Sequence, residues 1–249
     1  MGIEIVGLLM DFANRVVLVT GASGGIGRAI ASAFAESGAC VAVHYHKNHE
    51  KANSTLESLP SGSHAIFQAD LSQSSEVKLL ADAVVNQLGS IDILVNNAGI
   101  FVQHDLSGVG YGEWQRSWNV LLGTNLLGPA NLTFCVVEHM LARGGGKIVN
   151  ISSRGAFRGE PSAPGYAASK AGLNALSQSL AQALAPHNVF LYVVAPGFVQ
   201  TEMSVEFLSG PDGESIRRQS SLGRVALPEE VARTAVFLAS EGTDFLTGC

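Results

Sequence analysis

A short apolar strand that leads through a glycine-rich turn into a helix constrains this fold more than any other stretch. Residues 15–20 read Arg-Val-Val-Leu-Val-Thr, a β-branched run typical of a strand buried on both faces of a parallel sheet. The next seven residues, 21–27, contain four glycines. Apolar side chains then recur at helical spacing, at Ile26, Ile30, Ala33 and Phe34. This order predicts a strand, a tight turn and a helix whose N-terminus can receive an anion.

Strands and helices alternate along the rest of the chain. Apolar runs predict five further strands, at residues 40–45, 64–70, 91–95, 147–151 and 189–195. Helical patterns fall between them, at residues 47–59, 72–88 (capped by Ser72) and 114–140, then in a helix ending near Ala185 and a last one opening at Pro228. We therefore predict an α/β fold, a doubly wound parallel sheet of the Rossmann type with six to seven strands and helices on both faces. We expect residues 1–249 to form one domain, with residues 1–9 as an N-terminal extension.

Composition limits the partners and the compartment. Hydrophobic residues make up 47% of the chain, enough for a large core, and the net charge of −6 argues against nucleic acid, whose phosphates need a basic face. Cys40, Cys135 and Cys249 form neither a zinc pattern nor an even disulfide set, so we expect no metal and a reducing compartment. No apolar run approaches the ~18 residues of a membrane span, and the start of the chain is a poor signal peptide. We expect a cytoplasmic protein without a membrane partner.

The glycine-rich turn predicts a dinucleotide site. Gly21 can take the tight turn, Gly25 lets a pyrophosphate approach the backbone, and Gly27 permits close packing of helix on strand. A purely structural turn is the alternative. Three more segments also follow predicted strands, at residues 96–99, 152–153 and 196–201, so all four should gather at one edge of the sheet, where such folds bind ligands.

A tyrosine and a lysine four residues apart, Tyr166 and Lys170, lie on one face of a predicted helix. A free tyrosine has a pKa of roughly 10, and a nearby ammonium lowers that pKa by favouring the phenolate. Bringing it to about 7 takes roughly 4 kcal/mol, and a bound cationic cofactor ring would add to what Lys170 supplies. Taken alone, such a pair is more often an exposed tyrosine beside a solvated lysine.

The wider pattern resembles the short-chain dehydrogenase/reductase family in its compact branch, over essentially the whole chain from about Met10 onward. The matching segments, in the family's order and spacing, are Thr20-Gly-x-x-x-Gly-x-Gly27, Asn96-Asn-Ala-Gly99, Asn125, Ser153, Tyr166-x-x-x-Lys170 and Pro196-Gly197 with Thr201. Agreement of all six outweighs the alternative for the tyrosine and lysine taken alone.

The resemblance implies a role for each residue of a catalytic set. Tyr166 would be the general acid in carbonyl reduction and the base in alcohol oxidation. Lys170 would lower its pKa and bind the nicotinamide ribose, while Ser153 would donate a hydrogen bond to the substrate oxygen. Asn125 would hold a water linking Lys170 to solvent; an ordinary polar helix residue is the alternative. Ser152 is expected to pack or bond locally.

The resemblance also implies the cofactor contacts. They are Gly21, Ser23, Gly25, Ile26, Gly27, Tyr45, His46, Asp70, Leu71, Asn97, Ala98, Gly99, Tyr166, Lys170, Pro196, Gly197 and Thr201. For Asp70 a helix cap is an equal alternative to an adenine contact.

The end of the second strand bears on the choice of cofactor. An acid there binds the ribose 2′-hydroxyl of NAD and repels a 2′-phosphate. This chain has Tyr45, His46 and Lys47, so NADP(H) is favoured over NAD(H). Against this, the turn has Ser23-Gly24 where many NADP-binding relatives carry a basic residue.

The substrate is less constrained. Residues 198–225, irregular in composition, are predicted to form a substrate lid. Leu222-Gly-Arg224 and the run from Pro228 to Val231 resemble the 3-oxoacyl-(acyl carrier protein) reductase subgroup, so 3-oxoacyl-thioester reduction competes with turnover of small ketones, sugars or polyols. Arg154 and Arg158 could meet an acidic carrier or a carboxylate, or be solvated. A non-catalytic dinucleotide sensor is the rival from another class.

The C-terminal end departs from the family pattern. Relatives continue past Thr247-Gly248 into a final short strand, whereas this sequence stops at Cys249, which predicts six strands and an uncovered sheet edge. We expect a homotetramer or homodimer that associates through the long helices bearing Asn125 and Tyr166.

Overall fold

The computed structural model describes residues 10–249, so the predicted extension at residues 1–9 lies outside them. The strands are β1 (Val16–Val19), β2 (Cys40–Tyr45), β3 (Ala65–Gln68), β4 (Ile93–Asn96), β5 (Gly146–Ile151) and β6 (Val189–Val194). They form one sheet in the order β3-β2-β1-β4-β5-β6, with every neighbouring pair parallel. The predicted doubly wound sheet is confirmed.

Helices cover both faces of this sheet. They are α1 (Gly25–Glu36), α2 (His49–Ser58), α3 (Ser74–Leu88), α4 (Tyr111–Leu122), α5 (Gly128–Ala142), α6 (Gly155–Arg158), α7 (Pro164–Leu184), α8 (Glu202–Ser209), α9 (Gly213–Arg218) and α10 (Pro228–Ala239). Side chains alternate across β1, so that Val17 and Val19 pack with α1 and α10 while Leu18 packs with α3 and α5. This explains why the strand is apolar without interruption.

The predicted long helix at residues 114–140 is confirmed as a continuous helix from Tyr111 to Ala142. A π-helical segment, Gly123–Leu127, joins α4 to α5. One 18-residue window of this helix has a mean hydropathy of 1.5, enough for a membrane span by length and composition, although polar residues interrupt its apolar ones. The helix nevertheless packs on the sheet, where Leu132, Val136 and Met140 are buried in the core.

Two sequence-based expectations about local structure are wrong. Residues 198–225, irregular in composition, are not irregular in structure throughout, because they contain α8 and α9. Ser72 does not cap α3, which begins at Ser74 with Gln73 at its N-cap. The Ser72 hydroxyl instead donates to Asp70 Oδ1 at 2.8 Å and so stabilises the turn that precedes the helix.

We had expected an uncovered sheet edge at the C-terminal end, but the edge at β6 is partly covered. Thr247–Cys249 run beside β6, where the Gly248 N–H donates to the Leu191 carbonyl at 2.8 Å and the Val193 N–H donates to the Cys249 carbonyl at 2.9 Å. The sheet of named strands has six members, and these last residues satisfy part of its edge.

Candidate active site

The turn between β1 and α1 requires glycine at three positions. Gly21 and Gly25 have φ angles of +64° and +52°, in the left-handed region. A Cβ on Gly21 would lie 2.9 Å from Ala98 Cα, and a Cβ on Gly27 would lie 2.2 Å from the Gly21 carbonyl oxygen. The turn is therefore packed tightly against both the helix behind it and the segment after β4.

The first turn of α1 has unused backbone donors. Its N-cap residue is Gly24, no side chain of the described residues caps it, and its first turn contains no acidic residue. The first N–H groups of a helix need partners, and the helix dipole makes negatively charged ones favourable. This end of α1 therefore fits a phosphate group.

Segment 96–99 is tied to the turn by Thr20. The Thr20 hydroxyl accepts hydrogen bonds from the backbone N–H groups of Asn97 at 2.9 Å and Ala98 at 3.0 Å. The Asn97 side-chain amide in return donates to the Thr20 carbonyl at 2.9 Å. Two strand ends, β1 and β4, are thus held in one arrangement, as the strand order predicts.

A cleft of about 520 Å³ opens along this edge of the sheet. Predicted cofactor contacts that line it are Gly21, Ser23, Gly25, Ile26, His46, Asp70, Leu71, Asn97, Ala98, Gly99, Tyr166, Lys170 and Thr201. Predicted site residues outside its lining are Gly27, Tyr45, Asn125, Ser153, Pro196 and Gly197. The cleft therefore joins the glycine-rich turn at one end to the tyrosine and lysine at the other.

Tyr45 stands apart from the cleft for a simple geometric reason. Alternation along β2 places it on the same face as Val41 and Val43, where it packs against the core beside α1. Its ring meets the edge of the His49 ring with centroids 5.6 Å apart.

Basic side chains lie at the β2 end of the cleft. His46 and Lys47 line it, together with Asn48 and Lys51, which sequence reasoning missed. Lys51 forms an ion pair with Glu202 at the start of α8, across the cleft mouth. This end therefore offers the positive charges of Lys47 and Lys51 to a ligand, beside the carboxylates of Asp70 and Glu202.

Asp70 both stabilises a turn and faces the cleft. Its Oδ1 accepts from the Ser72 N–H at 2.9 Å and from the Ser72 hydroxyl, while its Oδ2 lies 3.6 Å from His46 Nε2. Burial raises the pKa of this carboxyl, but the two hydrogen bonds from Ser72 outweigh it and leave the pKa of Asp70 below its usual value. The aspartate does not cap α3.

Lys170 is buried at the inner end of the cleft, with 4% of its surface exposed. Its ammonium donates to the Ile151 carbonyl at 2.8 Å, and burial lowers its pKa to about 8. The neighbouring Ser152 hydroxyl donates to the Lys170 carbonyl at 3.3 Å, a bond between the end of β5 and α7. The end of β5 and α7 are thus joined around the lysine.

The pKa of Tyr166 departs from the expected direction. Burial raises it above the ordinary tyrosine value, a hydrogen bond with Ser153 opposes that rise, and the charge on Glu160 adds to it. The Lys170 ammonium is directed at the Ile151 carbonyl instead. In the protein alone, Tyr166 is therefore a neutral phenol at neutral pH.

Asn125 is fully buried in the π-helical segment. Its Oδ1 accepts from the Ile100 N–H at 2.9 Å, and its Nδ2 donates to the Ile100 carbonyl at 3.0 Å and to the Ser169 hydroxyl at 3.2 Å. It is not an ordinary exposed helix residue, because it ties the loop after β4 to the helix that carries Tyr166.

Two buried histidines near the site were missed by sequence reasoning. His44 Nδ1 accepts from the Gly21 N–H at 3.1 Å, and its Nε2 lies 3.1 Å from the Ala69 carbonyl. His104 Nε2 accepts from the Gly165 N–H at 3.0 Å. A histidine inside the apolar run of β2 was a detectable sign of a buried polar role, whereas the stretch around His104 has no periodicity to indicate one.

Aromatic side chains pack next to Tyr166. The Phe101 ring is edge-on to Tyr166 with centroids 5.0 Å apart, and Phe207 of α8 follows at 5.8 Å from Phe101. The Arg154 guanidinium lies over the Phe198 ring, 4.6 Å from its centroid. Arg158 is exposed and hydrogen bonds Gln219, so the two arginines differ in their surroundings.

Comparison with known proteins gives consistent similarities over most of the chain. A family model described as short chain dehydrogenase matches residues 15–211. The chain is 38% identical over 237 residues to a 3-oxoacyl-(acyl-carrier-protein) reductase of Staphylococcus aureus, with 94% of each protein covered. It is 36% identical over 241 residues to the Thermotoga maritima reductase of the same name, with 96% of each covered. A crystal structure of a dehydrogenase/reductase from Sinorhizobium meliloti 1021 matches with a TM-score of 0.89 at 29% identity, covering 97% of this chain and 94% of that one.

Proposed function

Because the chain belongs to the short-chain dehydrogenase family, we propose that it is an NADP(H)-dependent oxidoreductase that interconverts a carbonyl compound and a secondary alcohol. The observation that carries the proposal is the cleft itself, which runs from an uncapped helix N-terminus at Gly24 to Tyr166 and Lys170. A nucleotide's phosphates suit one end, and proton transfer suits the other.

Each polar side chain at the inner end has a distinct task. Tyr166, neutral at pH 7, gives its proton to the substrate oxygen in reduction and takes it back in oxidation. Ser153, which lowers the pKa of Tyr166 and so lies near its hydroxyl, donates to the same oxygen as charge develops there. A bound nicotinamide supplies the hydride, or accepts it, and is cationic when oxidised. Lys170 is held by Ile151 where it can bind ribose hydroxyls, and Asn125 fixes the helix and loop on either side.

The remaining cofactor contacts follow from the cleft lining and from the resemblance. The turn from Gly21 to Gly27 would hold the pyrophosphate, and residues after β2, β3 and β4 would hold the adenosine. The proposed adenosine contacts, all in the cleft lining, are His46, Asp70, Leu71, Asn97, Ala98 and Gly99. Thr201 of the lining would flank the nicotinamide, together with Pro196 and Gly197, which the resemblance implies. Tyr45 packs against the core and so fixes the backbone at the end of β2, through which it would contribute to cofactor binding.

Charge at the β2 end supports NADP(H) over NAD(H). No acid stands at the end of β2, and His46, Lys47 and Lys51 line the cleft where a 2′-phosphate would lie. We expect NADPH to bind at least about tenfold more tightly than NADH, and the difference to shrink at high salt. Titration of protein fluorescence with each nucleotide measures the two dissociation constants. Comparable dissociation constants for NADPH and NADH would contradict the preference for NADPH.

The substrate side is apolar, with one cation at its rim. Phe101, Phe198 and Phe207 suit an apolar chain or ring beside the carbonyl, and Arg154 suits an anionic group. Residues 198–225 act as the lid. The bridge between Val199 and Ala226 brings the two ends of this segment together, so that the residues between them form one excursion beside the site. A 3-oxoacyl thioester, the substrate class in the names of the bacterial relatives, fits this surface, and small ketones, sugars or polyols are the competing class.

A single substitution separates the enzyme from a non-catalytic dinucleotide sensor. Tyr166→Phe removes the proton donor and little else, so turnover should fall by about 10²–10⁴-fold. The affinity for NADPH should stay within about twofold of the wild type. Oxidation of NADPH with a panel of 3-oxoacyl thioesters and small ketones, followed at its absorbance, measures turnover. Retained turnover in the variant would overturn the role of Tyr166, and no turnover of any carbonyl by the wild type would favour the sensor.

We also propose a cytoplasmic homo-oligomer that binds neither nucleic acid nor membrane. The acidic net charge and the cysteine pattern support the compartment and the absence of nucleic acid. The packing of the long helix on the sheet supports the absence of a membrane span.

A further inference from the structure

The helix that carries Tyr166 begins without a cap of its own. Pro164 occupies its first position and has no N–H, and the N-cap residue Ala163 has no side chain that could accept a hydrogen bond. The next N–H, that of Gly165, is buried and would be left unpaired by the local sequence. A buried donor without a partner destabilises the fold, so a partner is needed from elsewhere in the chain.

His104 supplies that partner from the loop after β4. Its Nε2 accepts from the Gly165 N–H at 3.0 Å in a buried setting. Its Nδ1 lies 2.9 Å from the Val102 carbonyl, which can only accept, so the ring proton is on Nδ1 and Nε2 is the free acceptor. The orientation of the ring is therefore specified by hydrogen bonds on both nitrogens.

The histidine is itself held rigidly. Its backbone N–H donates to the Ser162 carbonyl at 2.8 Å, two residues before the helix starts. The rings of Trp114 and Trp118 lie edge-on to it, with centroids 5.4 Å and 6.4 Å away. Glycine suits position 165 because it has no side chain: a Cβ there would lie 3.0 Å from His104 Nε2, too close for an unstrained contact.

From this geometry we infer that His104 is a positioning residue for Tyr166. The inference rests on the proposed function, in which Tyr166 exchanges a proton with the substrate. Tyr166 directly follows Gly165. The bond from the Gly165 N–H to His104 Nε2 therefore fixes the first turn of the helix against the loop after β4, and with it the position of the Tyr166 phenol. A displacement of about 1 Å at a reacting group can cost 10²-fold in rate, which makes this tertiary cap a determinant of turnover.

A matched pair of substitutions tests the inference. His104→Phe keeps a ring against the two tryptophans but removes the acceptor, whereas His104→Gln restores an acceptor of similar reach. We expect His104→Phe to lower kcat by about tenfold or more, with NADPH affinity within twofold of wild type, and His104→Gln to recover most of that loss. Trp114→Phe is the control, because it trims the same packing and leaves the bond to Gly165 intact; its kcat should stay within about twofold of wild type. All rates are expressed per nucleotide-binding site, so that a loss of folded protein alone does not count.

Amide exchange in the wild type gives a second measurement that does not depend on folding of a variant. The Gly165 N–H should be protected from exchange with solvent deuterium, as its neighbours in the helix core are. Exchange of this amide at the rate of an open loop would overturn the inference, and so would a wild-type kcat for His104→Phe or equal losses for His104→Phe and His104→Gln. These results are distinct from failure of the proposed function, in which the Tyr166→Phe variant keeps its turnover.

Discussion

At the scale of single residues, burial shifts the pKa values of groups at the site toward their neutral forms. Tyr166 has a raised pKa and Lys170 a lowered one, both because burial disfavours the charged form. Burial also lowers the pKa of His44 to about 4, against an ordinary value of 6.5. The neutral form of His44 is the one that can accept from the Gly21 N–H at one nitrogen and donate to the Ala69 carbonyl at the other.

The lowered pKa of His44 therefore predicts how the free energy of unfolding depends on pH. Because its pKa is lower in the folded protein, the unfolded chain takes up the proton first as the pH falls. Its stabilising contribution is complete above about pH 6.5 and is lost as the pH falls toward about 4, a total on the order of 3 kcal/mol. His44→Asn keeps an acceptor for Gly21 and does not titrate, so its free energy of unfolding should fall less over this range. Urea unfolding of both proteins at a series of pH values measures the difference; parallel curves would contradict the prediction.

At the scale of elements, the sequence predicts best where burial is two-sided. The run of apolar residues in β2 predicts its bounds, residues 40–45, because a strand covered on both faces can contain few polar side chains. The convergence of the turn, segment 96–99 and the catalytic helix also follows, since parallel strands share the edge at which they end. The end of β2 shows the limit, because the alternation of side chains turns the half-buried Tyr45 toward the core and away from the cleft.

Elements that depend on distant contacts could not be predicted. Helices α8 and α9 have eight and six residues, too short for a periodic pattern to stand out, and their segment is closed by the bridge from Val199 to Ala226. The π-helical segment around Asn125 and the cap of α7 by His104 likewise rest on partners far along the chain. A local pattern has no information about such partners.

At the scale of the whole molecule, the long helix from Tyr111 to Ala142 presents an apolar row to solvent. Its members are seven residues apart, and their exposed fractions are 43% for Val120, 55% for Leu127, 68% for Phe134 and 44% for Leu141. Seven residues are close to two helical turns, so the four side chains lie along roughly one side of the helix. Apolar rows of this kind on an outward face are typical of helix–helix interfaces.

This row is where we expect two copies of the chain to meet, in agreement with the proposed homo-oligomer. Replacing Leu127 and Phe134 together by Glu places four like charges, two from each copy, in the interface and should give monomers, whereas the wild type should run as a dimer or tetramer by light scattering. Leu79→Glu is the control, because Leu79 is 66% exposed on α3 and not a member of the row, so it adds one of the two charges per copy to a different helix. Loss of association should also lower turnover, since the same helix carries Asn125 and packs against the helix of Tyr166. A monomeric wild type would contradict the proposed homo-oligomer. A double variant that still forms oligomers would show that the copies associate through another face.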